Sequence, residues 1–200
     1  MANTNHRTIL FATGNSNKTR EARAILGGEF VLRDLSEIGF DGELKEEEDT
    51  LEGNAISKAK QALQLTEFES CFAEDTGLEV VALGGAPGVF SARYAGKDGN
   101  SEANIKKLLE NLEGVPDRRA RFRTVIAYVR GEEVSTFEGI VEGTIGEEPK
   151  GRKGFGYDPV FIPRGYNQTF AQLPISLKNK ISHRARAFEK FTNWLRGFQR

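Results

Sequence analysis

Apolar positions along this chain follow two periods. Short runs rich in β-branched and aromatic residues predict strands: "TILFAT" (Thr8–Thr13), "FVLRDL", and "SCFAED", which would end at the acid pair Glu74–Asp75. "RARFRTVIAYVRGEEVSTFEGIVEGTIG" predicts successive strands with "RGEE" as the hairpin turn. Helical spacing takes over elsewhere. "GNSNKTREARAILGG" reads as a polar turn and a helix stopped at Gly27 and Gly28. "LEGNAISKAKQALQL" places Ala55, Ile56, Ala59, Ala62 and Leu63 on one face, with Asn54, Lys58 and Gln61 on a polar stripe beside it. "NSEANIKKLLENLEG" is a helix stopped at Gly114, and "SHRARAFEKFTNWLRGF" a helix with Phe188, Phe191, Leu195 and Phe198 at core spacing. Between them lie an acidic loop, "GFDGELKEEEDT", and "GRKGFGYDPVFIPRGYNQ", read as loop, short strand, loop. This order predicts a mixed α/β fold with a substantial antiparallel part.

Composition narrows the partners. Two hundred residues suit one domain, or one with two lobes, and can bury a sizeable core. A net charge of −1 gives no global pull toward nucleic acid or an anionic membrane, so any phosphate site must be local. The basic residues are not gathered into one stripe. No apolar run reaches the length of a membrane span, and "MANTNHRTILFATG" lacks a signal-peptide core, so a cytoplasmic protein is the expectation. The single cysteine, Cys71, sits in the apolar "CFA" and reads as a buried structural thiol.

Five stretches could carry chemistry. "TGNSNK" (Thr13–Lys18), between a strand and a helix, suits an anion, because helix-start N–H groups and the dipole point into the turn and Lys18 adds a charge. It is not a Walker loop, and a capped helix start alone would explain it. Glu43, Glu46, Glu47, Glu48 and Asp49 form a charge run that reads as a solvated face. One of them could still share a hard cation with Asp75, since Mg²⁺ takes one or two carboxylates plus phosphate oxygens. Glu74 and Asp75 are the better ligands, being held on a strand, and alternation turns the two to opposite faces. In "KGRKGFGYDP", Phe155 or Tyr157 could stack on a nucleobase or pack inward. In "KNKISHR", Ser182 is the expected N-cap, and His183 and Arg184 fall in a first turn where positive charge opposes the dipole. His6 is the only other histidine, so there is no His-rich metal site. Together these parts suggest a nucleotide without fixing the reaction.

The chain resembles the inosine triphosphate pyrophosphatase family, also called Ham1-like. The stretches that carry the resemblance are "FATGNSNKTREA", "TLEGNAISKA", "FAEDTGLEVVALGGAPGVFSARYAG", "GFGYDPVFIP" and "TFAQLPISLKNKISHRARA", spanning Phe11 to Ala187 in the family's order. The resemblance implies a two-lobed α/β fold around a long mixed sheet, with an active-site cleft between the lobes and usually a homodimer. It implies a metal-dependent hydrolase, with Mg²⁺ as cofactor, that splits ITP, dITP and XTP into the nucleoside monophosphate and pyrophosphate. Carried over, Thr13, Gly14, Asn15, Ser16, Asn17 and Lys18 hold the triphosphate. Asp75 is general base and metal ligand, Glu46 shares the metal, and Lys58 faces the phosphates. Thr76 stands where many members have Ser, and offers a hydroxyl. Phe155 stacks on the base, Gly156, Tyr157 and Asp158 line its pocket, and Lys178, His183 and Arg184 contact base and phosphate.

Two departures stand out. Gly53 replaces a frequent acid before Asn54, which leaves the choice between Glu46 and its acidic neighbours open, and Glu74 replaces a common aspartate. The implied chemistry is in-line attack of water on the α-phosphorus, where positioning and charge stabilisation do most of the catalysis. His183 or Arg184 could donate to the 6-keto oxygen of hypoxanthine or xanthine, which adenine lacks. Two other readings stay open: a related pyrophosphatase preferring pyrimidine or modified nucleotides, and a nucleotide-binding protein without catalysis.

Overall fold

The computed structural model describes residues 8–28, 30–96 and 99–197; His6 and Phe198 lie outside them. Six strands form one mixed sheet: β1 (Thr8–Phe11), β2 (Val31–Asp34), β3 (Ser70–Val80), β4 (Arg119–Arg130), β5 (Glu133–Ile145) and β6 (Phe161–Pro163), ordered β2-β1-β3-β4-β5-β6. The helices are α1 (Ser16–Leu26), α2 (Leu51–Gln64), α3 (Ser101–Asn111), α4 (Ile175–Ile181) and α5 (His183–Gly197). The chain divides into two compact units. The first is Met1–Asp75, Val125–Glu138 and Ala187–Arg200; the second is Thr76–Thr124 and Gly139–Arg186. β3, β4, β5 and α5 each run through both.

In the first unit β1 pairs in parallel with β2 and β3, and the register sets Phe11 beside Phe72. Their rings stack at 4.4 Å. The two-residue period of a strand then sorts the core by face. Ile9, Phe11 and Phe72 pack with Ala22 and Leu26 of α1 and with Phe188, Phe191 and Leu195 of α5. Leu10, Ala12, Cys71 and Ala73 pack instead with Ala59 and Ala62 of α2. The small residues of α2 let that helix lie close to the strands. Trp194 packs edge-on against Tyr128 at 5.1 Å and beside Phe137 at 5.3 Å. Cys71 is fully buried and donates to Ala59 O at 3.0 Å; burial pushes its thiol up to about 12.

The second unit has its own core, built on Leu78 and Val80 of β3, Phe122 of β4, Val141 and Ile145 of β5 and Phe161 of β6, covered by Ile105, Leu108 and Leu112 of α3. β5 and β6 are antiparallel, and the hairpin between β4 and β5 turns at Gly131 with φ 56°.

The sequence expectations meet three differences. β3 does not end at the acid pair but continues through "TGLEV", because Leu78 and Val80 are buried at strand period. The glycine turn comes later, at Gly84 (φ 61°) and Gly85 (φ 91°). α3 ends at Asn111, three residues before Gly114. The helix α4 was not expected: with seven residues it is too short for periodicity to reveal, and it opens without a side-chain cap.

Candidate active site

The alternation that sorts the first unit's core also places the acid pair. Asp75 shares the parity of Cys71 and Ala73 and turns toward α2, while Glu74 turns toward α1. Both are buried, at 6% and 2% exposure. Asp75 therefore sits within a strand, not at its cap, with backbone fixed on both sides.

From α2, Lys58 Nζ lies 3.3 Å from Asp75 Oδ1, 2.9 Å from Glu74 O and 2.5 Å from Glu46 Oε1. The helical i, i+4 spacing brings Asn54 to the same place, where its Nδ2 donates to Asp75 Oδ2 at 3.1 Å. The polar stripe of α2 is thus largely a buried one: Asn54 is 0% and Lys58 6% exposed. Burial pulls the Lys58 ammonium toward its neutral form, but the Asp75 and Glu46 carboxylates outweigh it and hold the pKa above the usual lysine value.

From α1, Lys18 Nζ lies 3.5 Å from both the carbonyl and a carboxylate oxygen of Glu74. Both lysines therefore gather at the backbone of Glu74. The turn before α1 is a capped helix start. Asn15 Oδ1 accepts from the amides of Asn17 and Lys18, and the Asn15 amide donates to Thr13 Oγ1. Gly14, Asn15 and Ser16 are exposed, with Thr13 and Asn17 partly so. The cap presents Lys18 and the open turn from one rigid corner. The two readings of "TGNSNK", cap and anion seat, are therefore compatible.

The other predicted residues belong to the second unit. Asp158 Oδ2 accepts from Phe155 N at 2.8 Å and from Lys178 Nζ at 2.5 Å, closing the "GFGYD" loop on itself. Lys178 Nζ stands 5.0 Å and the Arg184 guanidinium 5.4 Å from the Phe155 ring centroid. His183 stacks on Phe122 at 4.5 Å, nearly parallel. Lys178, His183 and Arg184 are all buried. Ser182 Oγ accepts from Ala185 N, as expected of the N-cap of α5. Gly156 holds φ at +60°. Tyr157 is a core residue, not a flexible stacking group: it is 4% exposed, its hydroxyl donates to Ser91 O at 2.9 Å, and burial raises its pKa. Thr76 shares a 2.7 Å hydrogen bond with Thr124.

Sequence reasoning passed over Asn54 and Phe122 as site residues. Asn54 carried a signal, lying one helical turn before Lys58 on the same stripe; Phe122 carried none, since its partner is remote in sequence. Among the described residues no group of three or more His, Cys, Asp or Glu side chains is gathered as a metal cluster. Glu46 and Asp75 nonetheless converge on one cation, the Lys58 ammonium, and two hard carboxylates meet what Mg²⁺ asks of a protein. A cavity of about 720 Å³ in the first unit, lined by Phe30, Phe40, Phe68, Tyr128 and Arg130 among others, contains none of these groups.

Fold and site define a mixed α/β protein whose polar centre is a lysine–carboxylate constellation at the middle of a strand. The chain belongs to the Ham1 family, whose model matches residues 9–194. It is 50% identical to a dITP/XTP pyrophosphatase of Porphyromonas gingivalis over 188 residues, covering 94% of this chain and 96% of that one. It is 48% identical to one of Christiangramia forsetii over 187 residues, covering 94% and 98%. The Ham1 protein of Staphylococcus aureus has a similar structure, with a TM-score of 0.85 at 38% identity, covering 96% of this chain and 99% of that one. No helix of the described residues is long and apolar enough to cross a membrane.

Proposed function

We propose that this chain hydrolyses the non-canonical purine nucleoside triphosphates dITP, XTP and ITP to the monophosphate and pyrophosphate, removing them from the nucleotide pool. The observation that carries the reading is the Lys58 ammonium held between Asp75 and Glu46. Relatives named dITP/XTP pyrophosphatase, matched over almost their full lengths, support it. In this reading Thr13–Lys18 and Lys58 bind the triphosphate. Asp75 accepts a proton from water as its oxygen bonds to the α-phosphorus; the bond from that phosphorus to the bridging oxygen breaks, and pyrophosphate leaves. Lys18 and Lys58 stabilise the charge that gathers on the phosphate oxygens. Glu46 and Asp75 would hold Mg²⁺, which supplies Lewis-acid neutralisation of phosphate charge when bound.

Phe155 takes the base by stacking, with Gly156 and Asp158 at the same loop. Lys178, His183 and Arg184 supply donors, so a 6-keto purine is satisfied where adenine leaves a donor unpaired. One catalytic domain of two lobes, acting as a cytoplasmic homodimer with neither nucleic acid nor membrane as partner, completes the proposal.

The test is pyrophosphate release from dITP, XTP, ITP, GTP and ATP, with Mg²⁺ and with EDTA, for wild type and Asp75→Asn. We expect metal-dependent release from the deaminated purines, with kcat falling at least about a hundredfold in Asp75→Asn. Preference for a pyrimidine nucleotide would overturn the substrate class, and binding without release would make this a nucleotide-binding protein only.

A further inference from the structure

Asn54 is buried completely, yet it is neither a lysine nor an acid and has no assigned part in the reaction. Its amide spans two segments. Oδ1 accepts from the backbone amide of Glu48 at 3.0 Å, and Nδ2 donates to Asp75 Oδ2 at 3.1 Å. The two contacts fix which end of the amide is which. A flipped side chain would set its NH₂ against the Glu48 N–H and its oxygen against the Asp75 carboxylate, and both would repel. Asp75 is thereby held at two points, Oδ2 by Asn54 and Oδ1 by Lys58. Glu48 lies two residues beyond Glu46, on the loop whose carboxylate Lys58 holds. Gly53 makes room for this: a Cβ there would stand 2.9 Å from Glu48 Cβ.

We propose that Asn54 is a positioning residue that sets the orientation of the Asp75 carboxylate and pins the acidic loop beside it, so that Glu46 and Asp75 form one preorganised pair. This rests on the reading of Asp75 as general base given above. Preorganisation is what such chemistry needs, because a carboxylate free to rotate must be reoriented at every turnover.

Two substitutions separate the arms. Asn54→Asp keeps an acceptor for the Glu48 amide but replaces the donor to Asp75 by an acceptor. Asn54→Ala removes both. Hydrogen exchange at the Glu48 amide, measured in EDTA-treated protein, reads the loop arm without catalysis. Steady-state kinetics on dITP read the Asp75 arm. We expect Asn54→Asp to keep the Glu48 amide protected while kcat falls about 10- to 100-fold, the size of one hydrogen bond to a charged group, with KM changed less than about threefold. Asn54→Ala should lose the protection as well. Combining Asn54→Asp with Asp75→Asn should lower kcat little beyond Asp75→Asn alone, since the loop arm is kept and both substitutions act through one carboxylate.

Wild-type kcat in folded Asn54→Asp, or unchanged protection of Glu48 in Asn54→Ala, would overturn the proposal. So would equal additive losses in the double variant. Full activity in Asp75→Asn would instead remove the base reading beneath it. If Asn54→Ala does not fold, Asn54→Asp and its double variant with Asp75→Asn still decide.

Discussion

Single residues in this protein are governed by what surrounds them within a few ångströms. Cys71 shows it without any functional overlay. Its thiol is pushed up to about 12 from 9.0 by burial alone, so the native state keeps the proton after the unfolded chain has lost it. Between those values the unfolded chain binds fewer protons, and stability must fall as pH rises, by up to about 1.4 kcal/mol per unit. Urea midpoints at pH 8, 9 and 10 test this. Wild type should lose stability relative to Cys71→Ala on going from pH 9 to 10; parallel curves would show that the thiol is not buried in solution. Lys58 shifts in the same upward direction for a different reason, two carboxylates overcoming burial, so its contribution is complete below the ordinary lysine range and is lost as pH rises from there through its raised value.

Elements decide which residues meet. The "GFGYD" loop closes because Gly154, at φ +75°, leaves space that a Cβ would take from Asp158 Oδ2. Gly154→Ala should expel that carboxylate from both the Phe155 amide and Lys178. It should cost about 1–3 kcal/mol from backbone strain alone, measured by chemical denaturation, and raise KM for dITP more than it lowers kcat. An unchanged KM would separate the loop from nucleotide binding. The same scale explains what the sequence reveals. The strands, the four long helices and the stop at Gly27 were legible because period and caps are local. Lys18, Lys58 and Asp75 were legible as types at spacings. The extension of β3 past Asp75 was not, since Gly77 and the glycine turn beyond obscure the alternation of Leu78 and Val80. Nor was the inward packing of Tyr157, because the carbonyl that receives its hydroxyl, Ser91 O, lies 66 residues away. Asn54 carried only its helical spacing from Lys58, and its bond to Asp75 became visible once α2 was laid against β3.

At the scale of the whole molecule there are separate cores, one unit's built around Phe11, Phe72 and Phe188 and the other's around Phe122, Phe161 and Phe170. β3, β4, β5 and α5 supply residues to both units. We expect one cooperative transition, with Phe161→Ala lowering stability by about 3–5 kcal/mol. Trp194, the only tryptophan, is packed with Tyr128 and Phe137 in the first unit. Its emission is therefore a reporter confined to one core. If Phe161→Ala moves the fluorescence transition as far as it moves the far-ultraviolet circular dichroism, the two units fold together; if the fluorescence midpoint stays, they do not. The placement of one indole makes this protein its own optical gauge of coupling, with no label attached.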